Sequence, residues 1–172
     1  MMTLADVRKF SPENKIGKGG YSKEKNAAAW ELVNLGRTDR ATRIEYFIAS
    51  EIEERSGYDC SITKPNAPWD ITVNLEDKPV RIEVKSAIQK KGQECAYNIQ
   101  NVKPYLFDYI FIVLITPEGT RVGWAYSEDV ESLCFCKNEN CNGYSIHLST
   151  RKWDRGEYDD WLFDIDDFPY GS

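Results

Sequence analysis

Two acidic residues and a lysine occupy neighbouring segments that both have the pattern of β-strands. Asp70 lies in the segment P-W-D-I-T-V-N-L, and Glu83 and Lys85 lie in V-R-I-E-V-K-S-A. Apolar and polar residues alternate in both segments, which is typical of strands with one face buried, and the polar turn E-D-K-P joins them. One face of this hairpin would therefore carry two carboxylates and an ammonium, either as a solvated sheet face or as a metal site.

These residue types suit the hydrolysis of a phosphodiester. Mg²⁺ prefers oxygen ligands and usually takes one or two carboxylates together with water and substrate phosphate. Asp70 and Glu83 would bind the metal, and the main-chain carbonyl of Val84 is a natural additional ligand. A lysine at position 85 could orient or deprotonate an attacking water and offset the charge that develops on the phosphate. Mg²⁺ is the expected cofactor, with Mn²⁺ as its substitute.

A glutamate in the preceding helix is the fourth candidate. The sequence predicts a helix that starts at Thr38 or Asp39, ends near Arg55 and is stopped by Ser56-Gly57. Glu45 lies within the apolar stripe of this helix, which is formed by Ala41, Ile44, Ile48, Ala49 and Ile52. A buried carboxylate needs a partner or a metal. Glu45 is therefore a second-metal ligand or an anchor for metal-bound water, or else a rim glutamate or one half of a buried salt bridge.

The remaining elements must support this site. An earlier helix is predicted from Ser22, as the N-cap, through Leu35. The uninterrupted apolar run from Asp108 to Ile115 predicts a strand buried on both faces, at the centre of a covered sheet. Other expected elements are a strand at 58–62, a short helix or turn at 97–106, a strand at 121–126, a helix capped by Ser127, and weak strands at 144–148 and 161–165. This order predicts an α/β or α+β fold with a central mixed β-sheet flanked by helices.

The bulk composition favours a single folded domain. The chain has 172 residues, of which 41% are hydrophobic and 29% charged, so it is neither disordered nor membranous. We expect one domain with an N-terminal extension and helix at 1–37, a core that carries the candidate catalytic residues at 38–126 and a C-terminal helix and strands at 127–172. The first residues show no signal peptide, and the odd number of cysteines argues for reduced thiols, so a cytoplasmic location with no membrane contact is expected.

The charge distribution is compatible with a nucleic-acid partner. The net charge is −6, but residues 7–43 are rich in Lys and Arg whereas 151–172 are rich in Asp and Glu. Basic residues that flank the candidate site could follow a phosphate backbone; they are Lys64, Lys90, Lys91 and Arg43, with Arg37 and Arg40 at the start of the same helix. The alternative interpretation is that they are solubilising surface charges.

A possible zinc site lies near the C-terminus. Cys134, Cys136, Cys141 and His147 are four potential ligands in one short stretch. Structural zinc sites prefer two to four residues between paired cysteines, and the C-x-C spacing here departs from that pattern. Buried or loop thiols are the alternative interpretation.

The spacing of the acidic residues resembles a known family. Asp70, twelve intervening residues and then Glu83-Val84-Lys85, inside two paired strands, resemble the signature of the PD-(D/E)XK nuclease superfamily, which has the restriction-endonuclease-like fold. The resemblance covers roughly residues 40–126. It implies a core of helix, three strands, helix and strand, in which Glu45 matches a frequent additional acidic residue and 108–115 the last strand.

The same resemblance implies the function. We expect an Mg²⁺-dependent endonuclease that cuts DNA, of the restriction type or a related defence or repair enzyme, often working as a homodimer because two strands are cut. Some exonuclease-like members carry a Gln and a Tyr four residues apart after the lysine. Here Gln100 and Tyr105 are five apart, so that subgroup does not match, and Gln100 is kept as a candidate contact to substrate or metal-bound water. The alternative is a catalytically inactive DNA- or protein-binding module that retains the fold.

Overall fold

The structure is a computed structural model that describes residues 20–63, 66–90, 96–133, 137–138 and 143–169. Its helices are α1 (Ala27–Asn34), α2 (Arg37–Ser56), α3 (Ser127–Leu133) and α4 (Thr150–Asp154). Its strands are β1 (Cys60–Ile62), β2 (Ile71–Val73), β3 (Val80–Ile88), β4 (Ala96–Val102), β5 (Tyr109–Thr116), β6 (Gly119–Tyr126), β7 (Lys137–Asn138), β8 (Gly143–Ser149) and β9 (Phe163–Asp164). Six strands form a central sheet in the order β1-β2-β3-β5-β6-β9, and three form a smaller sheet in the order β4-β8-β7.

The central sheet is mixed, as the sequence predicts. Strand β2 pairs antiparallel with both β1 and β3, whereas β3 and β5 pair in parallel, with Glu83 opposite Ile110. Strand β5 lies between β3 and β6 and is buried along almost its whole length. The predicted hairpin is confirmed, with Ile71 paired to Ile82. The prediction of a buried central strand is confirmed too.

Each face of the central sheet has its own hydrophobic core. Ile71, Ile82 and Phe111 belong to the core that α1 and α2 cover. Ile110 and Ile112 point to the opposite face, where they join β4, β8 and α3 in a second core. The fold is therefore a mixed α+β fold whose central sheet is flanked by helices. The small sheet that completes the second face was not predicted.

Helix α2 is close to its predicted bounds and is the main element over the first core. Ile44, Ile48 and Ile52 on its apolar face are at most 1% exposed. Gly57 ends the helix in the left-handed conformation, with φ of 77°. Helix α1 starts later than predicted, because the side chain of Asn26 caps it by accepting a hydrogen bond from the Ala29 amide at 2.9 Å. The prediction of Ser22 as the N-cap is therefore wrong.

The segment between β3 and β5 also differs from the prediction. Residues 97–106 were expected to form a short helix or turn, and the resemblance to the nuclease family implied a helix there. The described residues of this segment instead form strand β4 and a 3₁₀ turn at Pro104–Leu106. Tyr97 and Ile99 alternate inward as in any half-buried strand.

Some expectations concern residues outside the described ranges. Cys134, Cys136 and Cys141 lie there, so the zinc hypothesis stays a prediction; His147 is exposed on β8. Within the described part of the chain, no helix is both long enough and apolar enough to cross a membrane. The three-part domain division and the cytoplasmic location stay predictions.

Candidate active site

Asp70 is held against β3 at the point where β2 begins. Its amide donates a hydrogen bond to the Ile82 carbonyl at 2.9 Å, and its carboxylate Oδ2 accepts one from the Val84 amide at 2.8 Å. The carboxylate takes the place of a strand partner for β3, whose pairing with β2 reaches only Ile82. Asp70 is thus tied to the residues on both sides of Glu83, and this places the two acidic residues side by side.

Glu83 and Lys85 project from the same face of β3, because they are two positions apart on a strand. The Lys85 ammonium lies 2.9 Å from Oε1 of Glu83. The side chains are 14% exposed for Glu83 and 25% for Lys85, so the ion pair is screened less than one at the surface. The structure therefore brings together the acid–acid–lysine set predicted from the sequence.

Glu45 reaches the same place from α2. A cavity of about 500 Å³ is lined by Glu45, Asp70, Glu83, Val84 and Lys85. Burial, together with the negative charges of Asp70 and Glu83, raises the pKa of Glu45 to about 7. The charges of both acidic residues on the hairpin therefore act on the carboxyl of Glu45.

The two hairpin carboxylates are also held in conditions that disfavour their charge. Burial raises the pKa of Asp70, while the hydrogen bond from the Val84 amide and the charge of Lys85 act to lower it. Burial likewise raises the pKa of Glu83; the charge of Lys85 acts to lower this pKa, and the charge of Asp70 acts to raise it. Three acidic groups thus converge while the nearest ammonium is already paired to one of them, and a bound cation would relieve their repulsion.

The donor set fits a magnesium ion held by few protein ligands. The described residues contain no group of three or more His, Cys, Asp or Glu side chains arranged closely enough to enclose a metal. Mg²⁺ does not need such a cage, since it commonly binds one or two carboxylates and keeps several waters. Asp70 and Glu83 provide that pair of hard oxygen donors, and Val84 and Glu45 border the same cavity.

The basic residues divide into those at the cavity and those elsewhere. Arg37, Arg40 and Lys90 line the cavity that holds the carboxylates. Arg37 and Lys90 are exposed, whereas Arg40 donates hydrogen bonds to the Leu32 and Leu35 carbonyls. Lys64 and Lys91 lie outside the described residues. The cavity therefore has a basic rim provided by the start of α2 and the residues just after β3.

Arg43 is a correction to the predicted nucleic-acid contacts. Its side chain is only 2% exposed and lies 3.5 Å from Oε2 of Glu31 on α1. It is on the side of α2 that faces the protein, next to buried Ile44. Arg43 therefore belongs to the contact between the two helices and cannot reach a phosphate backbone in this structure.

Gln100 is exposed on β4 and does not line the cavities described here, so the structure does not bring it to the acidic residues. Other polar residues of the same segment line the cavities instead. Asn98 lines the cavity of about 500 Å³, while Asn101 and Lys103 line a second cavity that shares Asp70 and Glu83. No motif marks these residues, and they were missed because 97–106 was not recognised as a strand.

Comparisons with known proteins find similarity among solved structures. No protein-family model matches the chain, and no curated protein matches it either. Among solved structures, the chain is similar to the bacterial homing endonuclease I-Ssp6803I. The two are 17% identical, with a TM-score of 0.42 over 66% of this chain and 76% of that one.

Proposed function

We propose that this protein is a metal-dependent endonuclease that hydrolyses DNA phosphodiester bonds, of the restriction type or a related defence or repair nuclease. The observation that carries the proposal is the convergence of Asp70, Glu83 and Lys85 in one cavity. The antiparallel β1-β2-β3 arrangement followed by a parallel β5 supports it, because the resemblance to PD-(D/E)XK nucleases implies three strands followed by a further strand. The helix that this resemblance implies before β5 is replaced by β4.

The residues divide the work of phosphodiester hydrolysis among them. Asp70 and Glu83 would hold Mg²⁺, which supplies charge neutralisation for the phosphate and a more acidic bound water. Lys85, held by Glu83 at 2.9 Å, would orient the attacking water and stabilise the negative charge that builds up on the phosphate. Glu45 would accept a hydrogen bond from water in the cavity, and Arg37 and Lys90 at the rim would position the DNA backbone.

The direct test is incubation of the purified protein with supercoiled plasmid DNA and Mg²⁺, Mn²⁺ or EDTA. We expect nicked and linear products with either metal and none with EDTA. Asp70→Asn, Glu83→Gln and Lys85→Met should each remove cleavage, whereas Asp160→Asn, a change at an exposed position, should retain it. Unchanged cleavage in all three site variants would overturn the proposal.

One observation favours a second candidate, a catalytically inactive DNA- or protein-binding module. The acidic residues already have partners within the protein: Asp70 has the Val84 amide and Glu83 has Lys85. Calorimetric titration with Mn²⁺ separates the two candidates. Binding that disappears in Asp70→Asn favours the nuclease, and a protein that binds DNA but no metal favours the module.

Two active sites on one duplex would allow both strands to be cut in a single encounter, and a homodimer would supply them. Sedimentation of the protein alone and with a DNA duplex tests this part of the proposal. A complex with two protein chains per duplex is the expected result.

A further inference from the structure

A second cavity adjoins the acidic residues on the side away from α2. Its volume is about 440 Å³, within the range of small-ligand pockets. Asp70 and Glu83 line it as well as the first cavity, so the two spaces meet at these carboxylates. A polymeric substrate whose reacting atom lies at the carboxylates could therefore extend into both cavities.

The second cavity differs from the first in its chemistry. Ala67, Pro68, Leu106 and Phe107 contribute apolar groups to its lining, and Asn101 and Lys103 supply polar groups beside the carboxylates of Asp70 and Glu83. Ala67 and Pro68 are exposed. The first cavity, by contrast, carries Arg37, Arg40, Lys85 and Lys90. A lining with one lysine, two carboxylates and several apolar groups suits a single nucleotide better than a run of phosphates.

The backbone at Lys103 is held in place by the residues around it. Val102 before it and Phe107 beyond the following turn are at most 2% exposed, and the Leu106 amide donates to the Lys103 carbonyl at 3.0 Å. Lys103 lines the second cavity together with Glu83, whereas Lys85 lines the first. Glu83 thus has Lys85 at one cavity and Lys103 at the other.

Asn101 is brought to the cavity by an irregularity in β4. The pairing of β4 with β8 shifts between Ile99 and Val102, and Asn101 has φ of 59°, in the left-handed region. Gly143 of β8 packs directly against this irregularity, because a Cβ there would lie 2.9 Å from the Val102 carbonyl oxygen. A bulge supported in this way re-aims a side chain toward a site.

We propose that the second cavity is a subsite for the nucleoside next to the phosphate that is cut, with Lys103 binding a phosphate of that nucleotide and Asn101 forming its polar wall. The subsite rests on the proposed nuclease function and adds the route of the substrate strand. The strand runs from the basic rim at Arg37 and Lys90, across Asp70 and Glu83, into the cavity between Ala67 and Leu106.

Lys103→Met and Lys103→Arg test the phosphate contact, with Lys152→Met as the control, because Lys152 is exposed on α4 and lines neither cavity. Fluorescence anisotropy with a labelled duplex in EDTA gives the dissociation constant at several salt concentrations. We expect Lys103→Met to weaken binding about tenfold and to reduce the slope of log K against log[salt] by about one. Lys103→Arg should restore both values, and Lys152→Met should match the wild type.

Ala67→Trp tests the apolar part of the subsite, because a large ring on this exposed residue would fill the cavity without disturbing the core. We expect the cleavage rate to fall at least tenfold, while the rise in Tm caused by Mg²⁺ remains as in the wild type.

The outcomes separate this inference from the nuclease proposal. If Lys103→Met and Ala67→Trp bind and cut DNA like Lys152→Met, while Asp70→Asn is inactive, the subsite is overturned and the nuclease stands. An equal loss of salt dependence in Lys152→Met also overturns it. A wild-type protein that neither binds nor cuts DNA overturns both proposals.

Discussion

The carboxylate of Asp70 accepts a hydrogen bond from the amide of Val84 at 2.8 Å. This contact joins a side chain just before β2 to the backbone of β3, where the regular pairing of the two strands has ended. Because Val84 follows Glu83 in the chain, this contact alone places Asp70 beside Glu83. The hydrogen bond therefore has a structural role that can be measured separately from catalysis.

Replacement of Asp70 should separate its hydrogen bond from its charge. Asp70→Ala leaves the Val84 amide without its acceptor, so we expect a loss of about 1–3 kcal/mol in the free energy of unfolding. Asp70→Asn keeps a carbonyl acceptor and removes a charge that burial disfavours, so its stability should remain near that of the wild type. Urea denaturation at pH 8 measures both, with exposed Asp160→Ala as the control. Equal losses in the Ala and Asn variants would contradict the assigned role of the hydrogen bond.

Glu45 should make the metal-free protein less stable as the pH rises. Its pKa is about 7 in the folded state against an ordinary value near 4.5. The folded state therefore holds the proton more tightly, and stability falls as the pH rises from about 4.5 to about 7. Glu45→Gln removes this effect, so above pH 7 the variant should be more stable by on the order of 1 kcal/mol, since partial exposure reduces the full effect.

Thermal unfolding in EDTA between pH 4.5 and 8 provides the measurement. The control is Glu54→Gln, which changes an exposed glutamate on the same helix. If the Tm of Glu45→Gln differs from that of the wild type by the same amount at every pH in this range, the pKa of Glu45 is not raised in the folded state.

The hairpin and its site could be predicted because strong local patterns coincide there. Alternation in the two segments sets which residues share a face, and the apolar run at 108–115 has the length and composition of a strand buried on both faces. Helix α2 was predictable for the same reason, since its apolar residues recur at helical spacing and Gly57 supplies a left-handed end. Each of these signals lies within a single element and does not depend on distant partners.

The parts that could not be predicted depend on packing between distant segments. Strand β4 starts with regular alternation at Tyr97 and Ile99, but Gln100 and Asn101 interrupt it, and the strand is completed only by pairing with β8. Lys103 carries no motif and reaches Glu83 only because β4 folds over the second face of the sheet. Arg43 was misplaced because a helical pattern does not say which helix covers the edge of its apolar stripe, and here α1 brings Glu31 to it.

Addition of Mg²⁺ should stabilise the folded protein through Asp70 and Glu83. A ligand that binds only the folded state raises its stability by about 1.4 kcal/mol when its concentration is ten times the dissociation constant. We expect a rise in Tm with Mg²⁺ in the wild type and in Asp160→Asn, and no rise in the Asp70→Asn/Glu83→Gln double variant. The same rise in the double variant would place the metal elsewhere.

Lys85 should matter for the chemical step more than for metal binding. Lys85→Met should lower the cleavage rate by about 10²- to 10⁴-fold if the ammonium transfers a proton or orients the water. Lys85→Arg keeps the positive charge but does not give up a proton readily. Recovery in the Arg variant therefore indicates charge stabilisation, and failure to recover indicates proton transfer. The Mg²⁺-induced rise in Tm should persist in both variants, and its loss would show that Lys85 acts by keeping the metal site intact.

Arg37 and Arg43 should differ in their effect on DNA binding although they lie on the same helix. Arg37 is exposed at the rim of the cavity, so Arg37→Met should weaken duplex binding severalfold and lower the salt slope by about one. Arg43 is buried against Glu31, and two of its guanidinium nitrogens find no hydrogen-bond partner among the described residues. Arg43→Met should therefore leave DNA affinity unchanged and keep or raise the free energy of unfolding, because an incompletely paired buried charge is costly. Anisotropy titrations paired with urea denaturation measure the contrast, and a loss of DNA affinity in folded Arg43→Met would return this residue to the DNA-binding surface.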